Sequence, residues 1–70
     1  MAEKYYGWLG ASGYNGVVKV IDYSEAYVFN KEMGDYRRDD EFMKAAIDPG
    51  SDFEEISKEE AEKIIEEMKG

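Results

Sequence analysis

The chain contains no cysteine and no histidine. Without cysteine there are no disulfide staples. Without either residue the usual ligands of a structural metal are missing, so stability must come from a tight core, from oligomerisation, or from both. The demand is real, because a chain of 70 residues buries only about 60% of its unfolded surface and is marginal on its own. One domain, residues 1–70, is the expected count, and a homodimer would enlarge its core. The start, Met1-Ala2-Glu3-Lys4-Tyr5, shows no basic region followed by an apolar core, and no apolar run approaches the length of a membrane span. The expectation is a cytoplasmic chain without membrane contact, and the lack of cysteine fits a reducing compartment.

Positive charge is scarce in one half only. Residues 1–38 hold five acids and five bases, whereas residues 39–70 hold twelve acids against four lysines and carry the whole net charge of −8. A neutral, aromatic half therefore precedes an acidic one.

From Lys4 to Asn30 the chain is rich in Tyr, Trp, Val and Phe, whose branched or flat side chains suit a pleated surface. Three strands are expected, near Lys4–Leu9, Gly16–Asp22 and Glu25–Asn30. Asp22-Tyr23-Ser24-Glu25 is short enough for a tight hairpin between the second and third. The stretch "LGASGYNGVV" separates the first two, and its Asn15-Gly16 accepts the positive φ of a hairpin turn, which sets Tyr14 at the hairpin tip. All three strands alternate apolar residues on both faces, as Val18 and Val20 against Val17 and Ile21 show. One face can be covered by one helix, and the other needs a second helix, a dimer mate or a partner.

The glycines Gly10, Gly13 and Gly16 have the spacing of a phosphate-binding loop, and "GASGYNG" resembles the glycine turn of the N-acetyl-glutamyl-phosphate reductases. The resemblance covers seven residues of the chain and lacks that family's crossover helix, parallel second strand and catalytic cysteine. A dinucleotide site needs the turn to open a helix whose amides hold the phosphates. Val17-Val18-Lys19-Val20-Ile21 is a strand sequence, crowded with β-branched residues. No nucleotide cofactor is expected.

The acidic half reads as two helices. Ser57-Lys58-Glu59-Glu60 is a capping box: the Ser57 hydroxyl accepts from the Glu60 amide and the Glu60 carboxylate returns to the Ser57 amide, with Ile56 placed to staple the first turn. Ala61, Ile64, Ile65 and Met68 form one apolar stripe, and Glu59, Glu62, Lys63 and Glu66 the opposite, mostly acidic face. A shorter helix is expected from Asp40 to Ile47, capped by Asp39 or Asp40, with Phe42, Met43, Ala46 and Ile47 inward. Asp48-Pro49-Gly50-Ser51 ends it. The fold class is α+β, a three-stranded antiparallel meander followed by a short and then a longer amphipathic helix, βββαα.

Three chemical uses of the carboxylates fail. A calcium loop from Asp48 would put Gly50 at its third position and Phe53 where glycine is required. Paired carboxylates at Glu54-Glu55 or Asp39-Asp40-Glu41 sit on exposed turns, neither dry nor held at a working separation. Direct nucleic-acid binding is opposed by the charge, and the basic doublet Arg37-Arg38 offsets its neighbours Asp35, Asp39 and Asp40. No enzyme, metal or cofactor is expected.

An acidic helical face beside an aromatic sheet suits a basic groove on a protein partner, where it would take the place of nucleic acid. In size and character, with no motif behind it, the chain is similar to the small phage-encoded inhibitors of nucleic-acid enzymes, anti-CRISPR proteins among them. The residues implicated are Asp39, Asp40, Glu41, Glu59, Glu62 and Glu66, with Tyr5, Trp8, Tyr14 and Tyr27 as aromatic contacts. The alternative is an adaptor or homodimer joined through the aromatic sheet face.

Overall fold

Three strands form the meander that the aromatic half anticipates: β1 (Glu3–Gly10), β2 (Gly13–Ile21) and β3 (Glu25–Asn30). The computed structural model describes every residue except Met1, Ser12, Lys31, Met33, Pro49, Ser51 and Gly70. Two short strands extend the meander to five, β4 (Tyr36–Arg38) beside β3 and β5 (Phe53–Ile56) beside β1, giving an antiparallel sheet of order β4-β3-β2-β1-β5. A 3₁₀ turn at Asp40–Met43 runs into α1 (Lys44–Ile47), and α2 (Lys58–Lys69) closes the chain. The fold is thus α+β, with two more strands than βββαα. No helix among the described residues is long and apolar enough to cross a membrane.

The first hairpin turns in a different place from the one expected. Gly10 faces Gly13 across the β1–β2 ladder, and Gly13 takes the positive φ, +132°. Asn15 and Gly16 lie inside β2. Trp8 pairs with Gly16 and Leu9 with Tyr14, which leaves Asn15 as the extra residue of a β-bulge. Gly16 is needed there for closeness: a Cβ would collide with the backbone carbonyl of Phe29 and crowd the Trp8 ring. Tyr14 accordingly sits one residue inside the strand, not at the tip. The second hairpin turns where expected, with Ser24 N–H donating to the Ile21 carbonyl at 3.0 Å. Asp22 and Tyr23 there both have positive φ, the sense that matches strand twist.

Both faces of the sheet are covered. On one, Tyr6, Val18, Val20, Ala26, Val28 and Phe53 meet Ala45 of α1, with Trp8, Phe42, Met43 and Ala46 packed against them. Phe42 sits edge-on between Trp8 and Phe53, with ring centroids 5.2 and 6.2 Å away. On the other, Tyr5, Val17 and Ile56 meet Ala61, Ile64 and Ile65 of α2. Val17, Val18, Val20 and Phe29 are sealed from solvent, each contributing about 1.5–3 kcal/mol by burial. Ile47 departs from expectation and is 74% exposed. In the single turn of α1 the buried position is Ala45, and Ile47, two residues on, falls on the far side of the helix.

The 3₁₀ turn and α2 are each tied at their start by a side-chain cap. Asp39 Oδ1 accepts from Glu41 N–H at 3.1 Å, and Asp39 N–H donates to the Ala26 carbonyl at 2.8 Å, fixing the 3₁₀ turn to β3. The Ser57 hydroxyl accepts from Glu60 N–H at 3.1 Å. The return bond is made by that same hydroxyl, donating to Glu60 Oε1 at 3.5 Å, in place of the expected Ser57 amide. Ile56 and Ala61 share one buried cluster, as a hydrophobic staple requires. Pro49 and Ser51 of the expected helix stop lie outside the described residues.

Gly16→Ala is expected to cost about 1–3 kcal/mol by overpacking against β3, lowering Tm by roughly 5–20 °C. Gly16→Asn discriminates further, because a left-handed turn position tolerates Asn and a crowded strand position does not. A near-native thermal unfolding curve for Gly16→Asn would restore the turn to Asn15-Gly16.

Candidate functional site

The acidic side of α2 is the most organised charged surface. Its apolar stripe is consumed by the sheet, with Ala61 buried and Ile64, Ile65 and Met68 half-buried, so the remaining faces point outward by helical geometry. Glu59, Glu62 and Glu66, with Lys63 and Ile65, line an open hollow of about 480 Å³ along the helix. The backbone beneath is fixed by the Ser57 cap and the Ile56–Ala61 staple.

Asp39, Asp40 and Glu41 do not join that surface. They open the 3₁₀ turn, whose Phe42 and Met43 pack on the opposite face of the sheet from α2. Two of them are engaged internally: Asp39 caps the turn, and Asp40 accepts from Arg38 Nε at 3.2 Å and from Ala26 N–H at 3.3 Å. The Arg38 bond, then the Ala26 bond, hold the Asp40 carboxyl below its usual range. Arg38 also lies 3.8 Å from Glu25.

The four aromatic candidates divide likewise. Trp8 is half-buried against Phe42, and Tyr5 is buried under α2. The Tyr5 hydroxyl donates to Glu3 at 2.8 Å and that of Tyr27 to Glu25 at 2.7 Å. Both are pairs two residues apart on one strand and therefore on one face. Between them in register stands Lys19, its ammonium 4.5 Å from the Tyr36 ring centroid and 5.4 Å from that of Tyr27, a cation–π arrangement internal to the chain. Tyr14 lies with its ring over Gly7, and its hydroxyl donates to Glu54 at 3.1 Å.

The hydroxyls of Tyr5, Tyr14, Tyr27 and Tyr36 are held away from ionisation. Burial first, then the hydrogen bond to Glu3, pushes Tyr5 up to about 12. Burial, then the fields of Glu62 and Glu3, does the same for Tyr36. The bond to Glu54 raises Tyr14, and that to Glu25 raises Tyr27. A nucleophilic or basic phenolate needs the opposite shift. Among the described residues no group of three or more Asp, Glu, His or Cys side chains is placed to hold a metal ion. What this arrangement does chemically is present fixed negative charge.

Sequence reasoning set Glu54 and Glu55 on a turn, gave Glu60 only a capping role and did not single out Tyr36. Glu54 and Glu55 lie on a strand, not a turn, with Glu55 accepting from Lys4 at 3.3 Å. The Tyr14 phenol responds to both Glu54 and Glu60, so the first turn of α2 adjoins β5. The available signal was the pair Phe53 and Ile56, whose odd separation serves two cores and defeats the period-two pattern.

Tyr5 and Tyr36 keep protons in the folded state that the unfolded chain releases near 10, so stability is unaffected below that pH and falls as pH rises from about 10 to about 12. Urea midpoints are expected to drop across this window and to drop less in Tyr36→Phe, with tyrosinate absorbance of the native protein still climbing at its upper end. Six tyrosines titrating together near 10 would contradict this. The chain matches no protein-family model, no curated protein and no solved structure.

Proposed function

We propose that this chain is a non-catalytic acidic interaction module, an inhibitor or modulator that lays the outer side of α2 on a basic, nucleic-acid-binding surface of a partner protein. The observation that carries the reading is the row Glu59, Glu62 and Glu66 on one capped and stapled helix. At about 1.5 Å per residue these carboxylates recur about every 4.5–6 Å along the axis, the same order as the axial spacing of phosphates along one nucleic-acid strand, about 3.4 Å. Held on a rigid element, they lose little entropy on docking, and the net charge of −8 speeds encounter with a cationic partner. Asp39, Asp40 and Glu41 are omitted from the contact because the turn they open is packed, through Phe42 and Met43, on the other face of the sheet from α2, and Asp39 and Asp40 are engaged within the chain. Docking through an aromatic sheet face has less support, since Tyr5 and Trp8 are occupied by the chain's own helical layers.

Tagged protein is expected to retain nucleic-acid-binding proteins from a cell lysate at low salt, with added duplex DNA and added salt each releasing them. The double reversal Glu62→Lys and Glu66→Lys should cut retention by about tenfold or more while leaving thermal unfolding within a few degrees, since both side chains are exposed. Retention indifferent to salt and to DNA would overturn the reading.

A further inference from the structure

The geometry points to the outer edge of β5 as a docking site for an extended, Lys/Arg-bearing strand of a partner protein. The inner side of β5 is taken by β1: Leu9 N–H donates to the Asp52 carbonyl at 2.8 Å, and the register continues through Gly7 with Glu54 and Tyr5 with Ile56. Antiparallel alternation then turns the N–H and C=O of Glu54 and Ile56 toward β1 and those of Phe53 and Glu55 outward. No strand among the described residues lies beyond β5. The backbone is nevertheless anchored at both ends, because Phe53 is buried in one core and Ile56 in the other. It is a fixed edge with two outward-facing donor–acceptor pairs, the feature that strand addition uses.

Charge selects the occupant. Glu54 and Glu55 are exposed and flank the edge, one on each face, and Glu60 adds to the Glu54 side. The Lys4 ammonium, 3.3 Å from Glu55, is exposed and leaves the Glu54 side unbalanced. At the C-terminal end of the strand lies an open hollow of about 430 Å³ bordered by Glu3, Lys4, Glu55, Ser57 and Lys58, whose two lysines offset its two glutamates, so the charge that selects the occupant is that of Glu54 and its neighbours. An incoming strand with two adjacent basic residues places one opposite each glutamate.

A second copy fits less well. Pairing β5 with β5 sets glutamates against glutamates. Pairing it with β4 matches the arginines, but β4 is three residues long, Arg38 is already engaged by Asp40 and Glu25, and each copy brings −8. Such a contact would also be head-to-tail, building a ring or an open filament instead of a two-fold dimer. The β5 edge is a different surface from the outer side of α2, and either can fail without the other.

The test uses the intact chain and two synthetic peptides, Thr-Val-Lys-Arg-Val-Thr and its Glu-Glu counterpart, with amide hydrogen exchange read by NMR. At a concentration about ten times its dissociation constant, the basic peptide is expected to slow exchange at Phe53 and Glu55 about tenfold. Glu54 and Ile56, already bonded to β1, should change little, and added salt should weaken the effect. Glu55→Pro removes an outward N–H without touching the β1 ladder and should abolish binding, whereas Glu55→Gln should retain it in weakened form. The reversals Glu62→Lys and Glu66→Lys should leave this protection in place, which separates its failure from that of the α2 surface. Protection confined to residues outside β5, equal binding of the acidic peptide, or protection that arises from self-association without peptide would each overturn the assignment. The exchange pattern of the unmodified chain decides the matter even where Glu55→Pro does not fold.

Discussion

The rest of the structure depends on the two-sided burial of β2. Val17 and Val18 are neighbours on the strand, point to opposite faces, and are both sealed from solvent. A sheet with one wet face would have left one of them in water, so the chain must build a layer on each side. It does so from few residues: a 3₁₀ turn and one helical turn on one face, three helical turns on the other. β5 is the link between them. The chain leaves α1, passes along the sheet edge as β5 and enters α2. On the way Phe53 is given to the first core and Ile56 to the second, because three residues along a strand reverses the side a residue faces.

Much of this was legible, and the misses have physical causes. The central strands, the β2–β3 hairpin and the capped α2 follow from β-branched and aromatic runs and from Ser57 with Glu60, signals in which local preference and tertiary packing agree. β4 and β5 carry three and four residues, two of them charged in each, and form only because a neighbouring strand offers an edge. Nothing local in Tyr36-Arg37-Arg38 demands extension. The first turn was misplaced because Asn15-Gly16 has the chemistry of a hairpin turn, while its actual role is a bulge and a close strand approach. Gly10 and Gly13 held the turn instead, and composition alone does not rank three glycines in one loop.

The candidate site was legible in content and less so in arrangement. Charge asymmetry located the acids, and helical periodicity set Glu59, Glu62 and Glu66 together. Linear proximity could not reveal that the turn opened by Asp39, Asp40 and Glu41 packs on the other face of the sheet from α2, nor that Asp40 is held by Arg38 and Ala26. The same holds for the tyrosines. Tyr5 with Glu3 and Tyr27 with Glu25 are each two residues apart, a spacing readable in advance once a strand is assigned. Each carboxylate accepts from a phenol that would otherwise offer a hydroxyl at the surface.

Covering both faces decides what is left for a partner. An aromatic sheet that spends its residues on two internal layers has little flat apolar surface to offer: of the large apolar side chains still well exposed, Leu9 and Tyr14 form one cross-strand pair, while Tyr23 and Ile47 sit on other elements. Recognition must then use what a small two-core domain cannot bury: the polar side of its longest helix and the edges of its sheet. The β4 edge is short, and Arg38, one of its two arginines, is engaged within the chain. The first turn of α2 and β5 lie next to each other, share Glu54 and Glu60 as neighbours of one phenol, and carry their charge outward. The negative rim is therefore a consequence of the same constraint that seals Val17 and Val18: with apolar residues committed to both faces, charge is what remains to distinguish one surface from another.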